Sequence, residues 1–210
     1  MKKQKISTAV VRRLPKYYRH LGDLERQGYD KISSQQLSEK TGFTASQIRQ
    51  DLNHFGGFGQ QGYGYNIKDL KEAITDIIGL DKPYKAIIIG YGNIGHAIHN
   101  YHGFDMEKFE VVKIFDIEAS NMEGQEILSI DQMTSYLKEN PVDVAIITVP
   151  VEEAQHVCDL FEEGMVKAIW NFAPTDLKVN FKIPIESVHL SESLYSLIFY
   201  LWNIDEYKQK

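Results

Sequence analysis

The apolar run Ala86-Ile87-Ile88-Ile89 leads directly into Gly90-Tyr91-Gly92-Asn93-Ile94-Gly95. A strand that ends in GxGxxG and gives way to a helix can fold in few ways. The first glycine permits a tight turn, the second lets a ligand approach the backbone, and the third lets helix and strand pack closely. Free N–H groups at the start of that helix favour an anion such as pyrophosphate. Asp116 lies 21 residues beyond Gly95, at the end of the next predicted strand, 111–115. A carboxylate there accepts hydrogen bonds from adenosine ribose hydroxyls and disfavours a 2′-phosphate. The spacing predicts a dinucleotide site with NAD(H) preference, built on Gly90, Tyr91, Gly92, Asn93, Ile94, Gly95 and Asp116. The alternative is a glycine turn in a Rossmann-like fold that binds nothing.

The rest of the chain after residue 81 alternates strand and helix. Helices are predicted over 131–139 and 151–163, and strands over 143–149, 168–172 and 183–188. The continuous apolar run DVAIITV is what a strand buried on both faces requires. Alternating elements of this kind imply an α/β fold with a parallel sheet.

The first 80 residues read differently. Val10, Leu14, Tyr17 or Tyr18, Leu21 and Leu24 recur at helical steps within 6–27, with Pro15 expected to bend the helix or split off a short leading one. Ser33 with Gln36 has the spacing of a capping box, and Gly42 suits the left-handed end of that helix. A second box, Thr44 with Gln47, opens a helix to about Phe55 with Ile48 and Leu52 turned inward. Two short helices about a glycine turn describe a helix-turn-helix. Its second helix presents Ser46, Gln47, Arg49, Gln50 and Asn53 or His54 outward, side chains able to reach base edges and phosphates. The glycine- and aromatic-rich stretch 55–66 predicts a two-stranded wing, helical periodicity returns over 67–80, and Asp81-Lys82-Pro83 is the best linker.

Charge agrees with this division. Residues 1–80 carry 13 Lys and Arg against 8 Asp and Glu; residues 81–210 carry 10 against 21. A basic head on an acidic body fits a polyanion that meets only the head, although a chance fluctuation of surface charge gives the same count. Apolar runs fall far short of the ~20 residues that span a bilayer. The charged start Met1-Lys2-Lys3-Gln4-Lys5 is followed by no apolar signal core, and a single Cys cannot form an internal disulfide. The chain reads as cytosolic, with no membrane partner.

The catalytic inventory is thin. His96, His99 and His102 drift around their helix rather than stacking on one face, so no metal site is expected. Cys158 reads as a small packing residue. After the sheet only about 20 residues remain, too few for the substrate domain of a dehydrogenase. Within them, Leu194-Tyr195-Ser196-Leu197-Ile198-Phe199-Tyr200-Leu201-Trp202 is apolar almost all round and must be buried, in its own core or against a second subunit. The expected organisation is a winged-helix domain at 1–80, a Rossmann domain at 81–189 and a dimerisation helix at 190–210.

Over nearly its full length the chain resembles the Rex family of redox-sensing transcriptional repressors. The matching stretches include Arg13-Leu14-Pro15-Lys16-Tyr17-Tyr18, Ser33-Ser34, Ile48-Arg49-Gln50-Asp51-Leu52, Phe55-Gly56 and Gly62-Tyr63-Gly64-Tyr65. Further along they include Gly90 to Gly95, Phe115-Asp116, Thr148-Val149-Pro150, Ala154-Gln155 and Asn171-Phe172-Ala173-Pro174. The resemblance implies a homodimer with a domain-swapped C-terminal helix, NADH and NAD as cofactors, and an inverted-repeat operator DNA released when NADH binds. It adds Thr148, Val149, Pro150 and Tyr101 to the cofactor residues. It adds Arg12, Arg13, Lys16, Gln60, Gln61 and Tyr63 to the DNA-binding set. It further implies a switch in which Arg19 and Tyr101 exchange contacts with an aspartate just before the final helix; this chain has His189 there. Gln50, Gln60, Gln61 and His96 also stand where basic residues are common in the family. The main alternative is an NAD-dependent oxidoreductase with an accessory basic domain.

Overall fold

The computed structural model describes residues 6–53, 59–60, 64–101, 103, 108–122 and 124–204. The chain divides into two compact units, Met1–Lys82 and Pro83–Lys210.

The first unit is a winged helix. Helix α1 (Thr8–Arg26) starts at Ser7, whose hydroxyl accepts from the Val10 N–H. It runs through Pro15 as one helix, so no short leading helix is split off. Proline removes the bond to the carbonyl four residues back; here that residue is Val11, and both it and Pro15 are exposed, so water can take the place of the lost donor. Both capping boxes form as the sequence predicts. Ser33 and Gln36 cap α2 (Ser34–Thr41), which ends at Gly42 with φ 74°. At the start of α3 (Ala45–Asn53), the Gln47 N–H donates to Thr44 Oγ1 at 3.2 Å, and the Thr44 N–H donates to Gln47 Oε1 at 3.0 Å. The wing strands β2 (Gly59–Gln60) and β3 (Gly64–Asn66) pair antiparallel. A strand not foreseen from sequence, β1 (Lys31–Ile32), pairs with the other edge of β3. Helix α4 (Ile67–Ile78) closes the unit at Gly79, with φ 80°. Leu14, Tyr17, Leu21, Leu37, Ile48, Leu52, Leu70 and Ile74 form its core. Each leucine and isoleucine among them contributes about 1.5–3 kcal/mol by leaving water.

The second unit is a seven-stranded sheet in the order β10-β9-β8-β4-β5-β7-β6. The strands are β4 (Tyr84–Ile89), β5 (Phe109–Asp116), β6 (Ser120–Met122), β7 (Gln125–Ser129), β8 (Val142–Ile147), β9 (Val166–Asn171) and β10 (Ile185–Ser187). All pairings are parallel except β6 with β7, an antiparallel edge hairpin the sequence reading missed. Alternate side chains face opposite ways. Ile87, Ile89, Ala145 and Ile147 pack with α6 (Met133–Glu139) and α7 (Val151–Asp159). Ala86, Ile88 and Ile146 pack with Ile98 of α5 (Asn93–His99). Helix α7 stops at Asp159, four residues short of the predicted end. Cys158 is buried within it, and burial, then the charge of Asp159, pushes its thiol up to about 11. It is a packing residue at neutral pH.

Helix α8 (Leu190–Trp202) completes the described chain and buries none of its residues against it. Trp202 is 87% exposed. The reading in which this helix lies in its own core is therefore incorrect. Among the described residues, no helix is long and apolar enough to cross a membrane.

Candidate functional site

Strand order reverses between β4 and β8, whose neighbours β5 and β9 lead in opposite directions. In open α/β sheets a crevice forms at the carboxyl ends of strands at that point. A cleft of about 880 Å³ lies there. Gly90 sits at its floor with φ 91°, and a Cβ there would lie 2.9 Å from the Val149 nitrogen. A Cβ on Gly95 would lie 2.2 Å from the Gly90 carbonyl oxygen. Both positions thus require glycine. Gly92, the residue before α5, has open space where a Cβ would be and gives the helix no side-chain cap. The turn is held from outside. The Gly90 N–H donates to the Phe115 carbonyl at 2.8 Å, and Thr148 Oγ1 donates to the Gly90 carbonyl at 2.6 Å.

Asp116 stands at the lip. Its Oδ2 accepts from the Tyr91 N–H and its Oδ1 from the Ile117 N–H at 2.7 Å. The predicted residues Gly90, Gly92, Asn93, Ile94, Asp116, Thr148, Val149 and Pro150 all line the cleft. Gly95 does not, because it is consumed in packing α5 against the turn. Tyr91 does not line it either. Its hydroxyl hydrogen-bonds His99 Nδ1 at 2.6 Å and its ring lies 5.3 Å from that of His96. Burial, then the charge of His96, lowers the His99 pKa, which favours the neutral ring in this contact. Tyr101 lies away from the cleft, on a separate cavity with His99 and Phe109, and is 58% exposed.

Sequence reasoning missed several lining residues: Ile117, Ile130, Val151, Glu153, His156, Phe172 and Pro174. Phe172 and Pro174 follow the end of β9, where the crevice rule alone points. Buried Asn171 fixes that loop. Its side-chain amide donates to the carbonyls of Ala173 at 3.1 Å and Thr175 at 2.8 Å, and its Oδ1 accepts from the Ala173 N–H at 2.9 Å.

The helix-turn-helix supplies the second site. Ser46, Gln47, Arg49 and Gln50 are exposed on α3, and Arg12 on α1. Arg49 is tethered, its Nη1 donating to Ser34 Oγ at 2.9 Å. Gln47 spends its carbonyl oxygen on the Thr44 box. Lys16 is half-buried, its ammonium 5.1 Å from the centre of the Phe43 ring. Arg13 departs from expectation: its guanidinium faces inward in a bidentate pair with buried Asp51. Gln60 lies on β2. His54, Gln61 and Tyr63 fall outside the described residues, as does His102. Among the described residues, no cluster of His, Cys, Asp and Glu could hold a metal ion. Of the residues assigned to the switch, Arg19 belongs to the first unit and Tyr101 and His189 to the second.

Residues 5–53 match a family described as "Putative DNA-binding protein N-terminus", and residues 81–175 match "CoA binding domain". The redox-sensing transcriptional repressor Rex of Clostridium tetani is 54% identical over 209 residues, covering 98% of this chain and 99% of the relative. That of Clostridium kluyveri is 52% identical over 208 residues, covering 97% and 99%. A crystal structure of RSP with beta-NAD+ and operator DNA superposes with a TM-score of 0.87 at 45% identity, covering 98% of this chain and 97% of that one. RSP with beta-NADH gives 0.87 at 42% identity, covering 98% and 99%.

Proposed function

The chain belongs to the Rex family of redox-sensing transcriptional repressors, and from that premise we propose how its own residues perform the task. NADH and NAD occupy the cleft at the ends of β4 and β8. Gly90 and Gly92 let the pyrophosphate approach the backbone, and Asp116 receives the adenosine ribose hydroxyls. When bound, the dinucleotide supplies the redox signal, and the protein performs no chemistry on it. The carrying observation is the cradle at Gly90 and Gly95, which admits no side chain, set beside a carboxylate that lines the cleft.

Helix α3 enters the major groove of operator DNA, with Ser46, Gln47, Arg49 and Gln50 facing the bases and Arg12 and Lys16 nearer the backbone. Gln60, Gln61 and Tyr63 complete the DNA-binding set. An inverted repeat has two half-sites, so two heads are needed. Helix α8 joins them. Leu194, Leu197, Phe199 and Leu201 are exposed on a chain taken alone, and a second subunit covers them in a swapped homodimer. The working division of the chain is 1–80 for DNA, 81–189 for dinucleotide and 190–210 for assembly.

NADH and NAD then act by differential affinity for two arrangements of the dimer, one that matches the operator and one that does not. The test is fluorescence anisotropy of a labelled operator duplex with saturating protein. Added NADH should release the DNA and added NAD should not; retention of the duplex at saturating NADH would refute the reading.

A further inference from the structure

Asp51 is the only buried charged side chain among the described residues, at 2% exposure. It accepts from Arg13 Nε at 2.7 Å, from Arg13 Nη2 at 2.7 Å and from the Tyr17 hydroxyl at 2.7 Å. The Tyr17 ring meets Phe43, in the turn before α3, edge-on at 5.7 Å. Burial first, then the bond to Asp51, pushes the Tyr17 phenol above its ordinary range, so it stays a donor.

An ion pair is a poor means of merely holding α3 down, because desolvating it costs as much as its attraction returns. What a forked pair adds is direction, since two parallel bonds fix rotation as well as distance. Helix α3 has nine residues, and its buried members are Ile48, Asp51 and Leu52. Ile48 and Leu52 lie nearly above one another along the axis and restrain rotation about it weakly; Asp51 lies to one side of that line. Ser46, Arg49, Gln50 and Asn53 occupy the opposite arc. A turn of about 10° moves a side-chain tip ~6 Å from the axis by about 1 Å, more than a hydrogen bond to a base edge tolerates.

We infer that Arg13 and Asp51 are a positioning pair for base reading: Arg13 governs operator selectivity by fixing the rotation of α3, not by touching DNA. This rests on the assignment of α3 to DNA recognition. The wild-type protein first selects a preferred duplex from a random pool. Affinity for that duplex and for a scrambled one is then measured across salt concentrations for wild type, Arg13→Lys and the double variant Arg13→Met/Asp51→Leu. Lysine keeps the charge without the fork. The double variant leaves the net charge unchanged and replaces the pair by apolar contact, with its melting temperature as the check on folding. The selected-to-scrambled ratio should fall about tenfold or more in both variants, while scrambled-DNA affinity and its salt slope stay constant. A folded variant that keeps the full ratio overturns the inference. So does a double variant that loses affinity for both duplexes equally, with a salt slope lower by about one, because that marks a phosphate contact. Unfolding of both variants also overturns it, assigning the pair to stability. Failure of the wild type to select any duplex would instead sink the assignment of α3.

Discussion

The backbone N–H of Tyr91 donates to Oδ2 of Asp116, tying the glycine turn after β4 to the end of β5. The Ile117 N–H fixes the other oxygen at 2.7 Å. The carboxylate at the lip of the cleft is thus held by two backbone donors.

That carboxylate sets the first prediction. NADH should bind more tightly than NADPH by about tenfold or more, roughly 1.4 kcal/mol, because a 2′-phosphate would meet Asp116. Asp116→Ala should narrow the difference. Calorimetric titration with both dinucleotides measures it, and equal affinities in the wild type would remove Asp116 from the site.

Arg49 is exposed on α3 and steadied by Ser34. Arg49→Ala should weaken operator binding more than random-DNA binding, by about 1–3 kcal/mol for a lost base contact. Gel shifts over a salt series separate this from a phosphate contact, for which both DNAs weaken together and the slope falls by about one.

No residue of helix α8 is fully buried in its own chain. Deleting residues 191–210 should abolish the dimer and operator binding together, since burial of the helix contributes ~25 cal/mol per Å² of apolar surface. Leu197→Ala/Phe199→Ala is the milder form, expected to shift sedimentation toward monomer. A truncated protein that stays dimeric and keeps its operator affinity would place the interface elsewhere.

Asp143 links three strands. It accepts from the Lys85 N–H of β4 at 2.9 Å and pairs with Lys167 of β9 at 2.7 Å. Burial raises its pKa, but the bonds to Lys167 and Lys85 outweigh that and the net shift is downward from 3.8. Its stabilisation is thus fully present above the unfolded value and is lost as pH falls through the lower folded value. Asp143→Asn should lower the melting temperature at pH 7, and the difference should shrink on acidification below about pH 4. A difference that grows on acidification would contradict the sign.

Much of this was legible in the sequence because it is local. Ser33 with Gln36, Thr44 with Gln47, and Gly42 state their own helix ends, and Gly90 to Gly95 states its turn. What was not legible depends on distant partners. Nothing within a few residues of Arg13 reveals that Asp51, 38 positions on, will take its guanidinium. Tyr91 sits inside the glycine motif, yet its side chain is claimed by His99. Strands β6 and β7 are short and form the hairpin at the sheet edge, with every β6 residue exposed, so the hydrophobic run that marked β4 and β8 is absent there.

The central claim is that occupancy of the Gly90–Asp116 cleft by NADH controls whether α3 holds DNA. Operator affinity measured at constant total dinucleotide, across a series of NADH/NAD ratios, tests it most directly. Affinity should fall steadily as the NADH fraction rises, and Asp116→Ala should flatten the response. An affinity that stays constant across the whole series in the wild type, with the dinucleotide shown to be bound, would contradict the account.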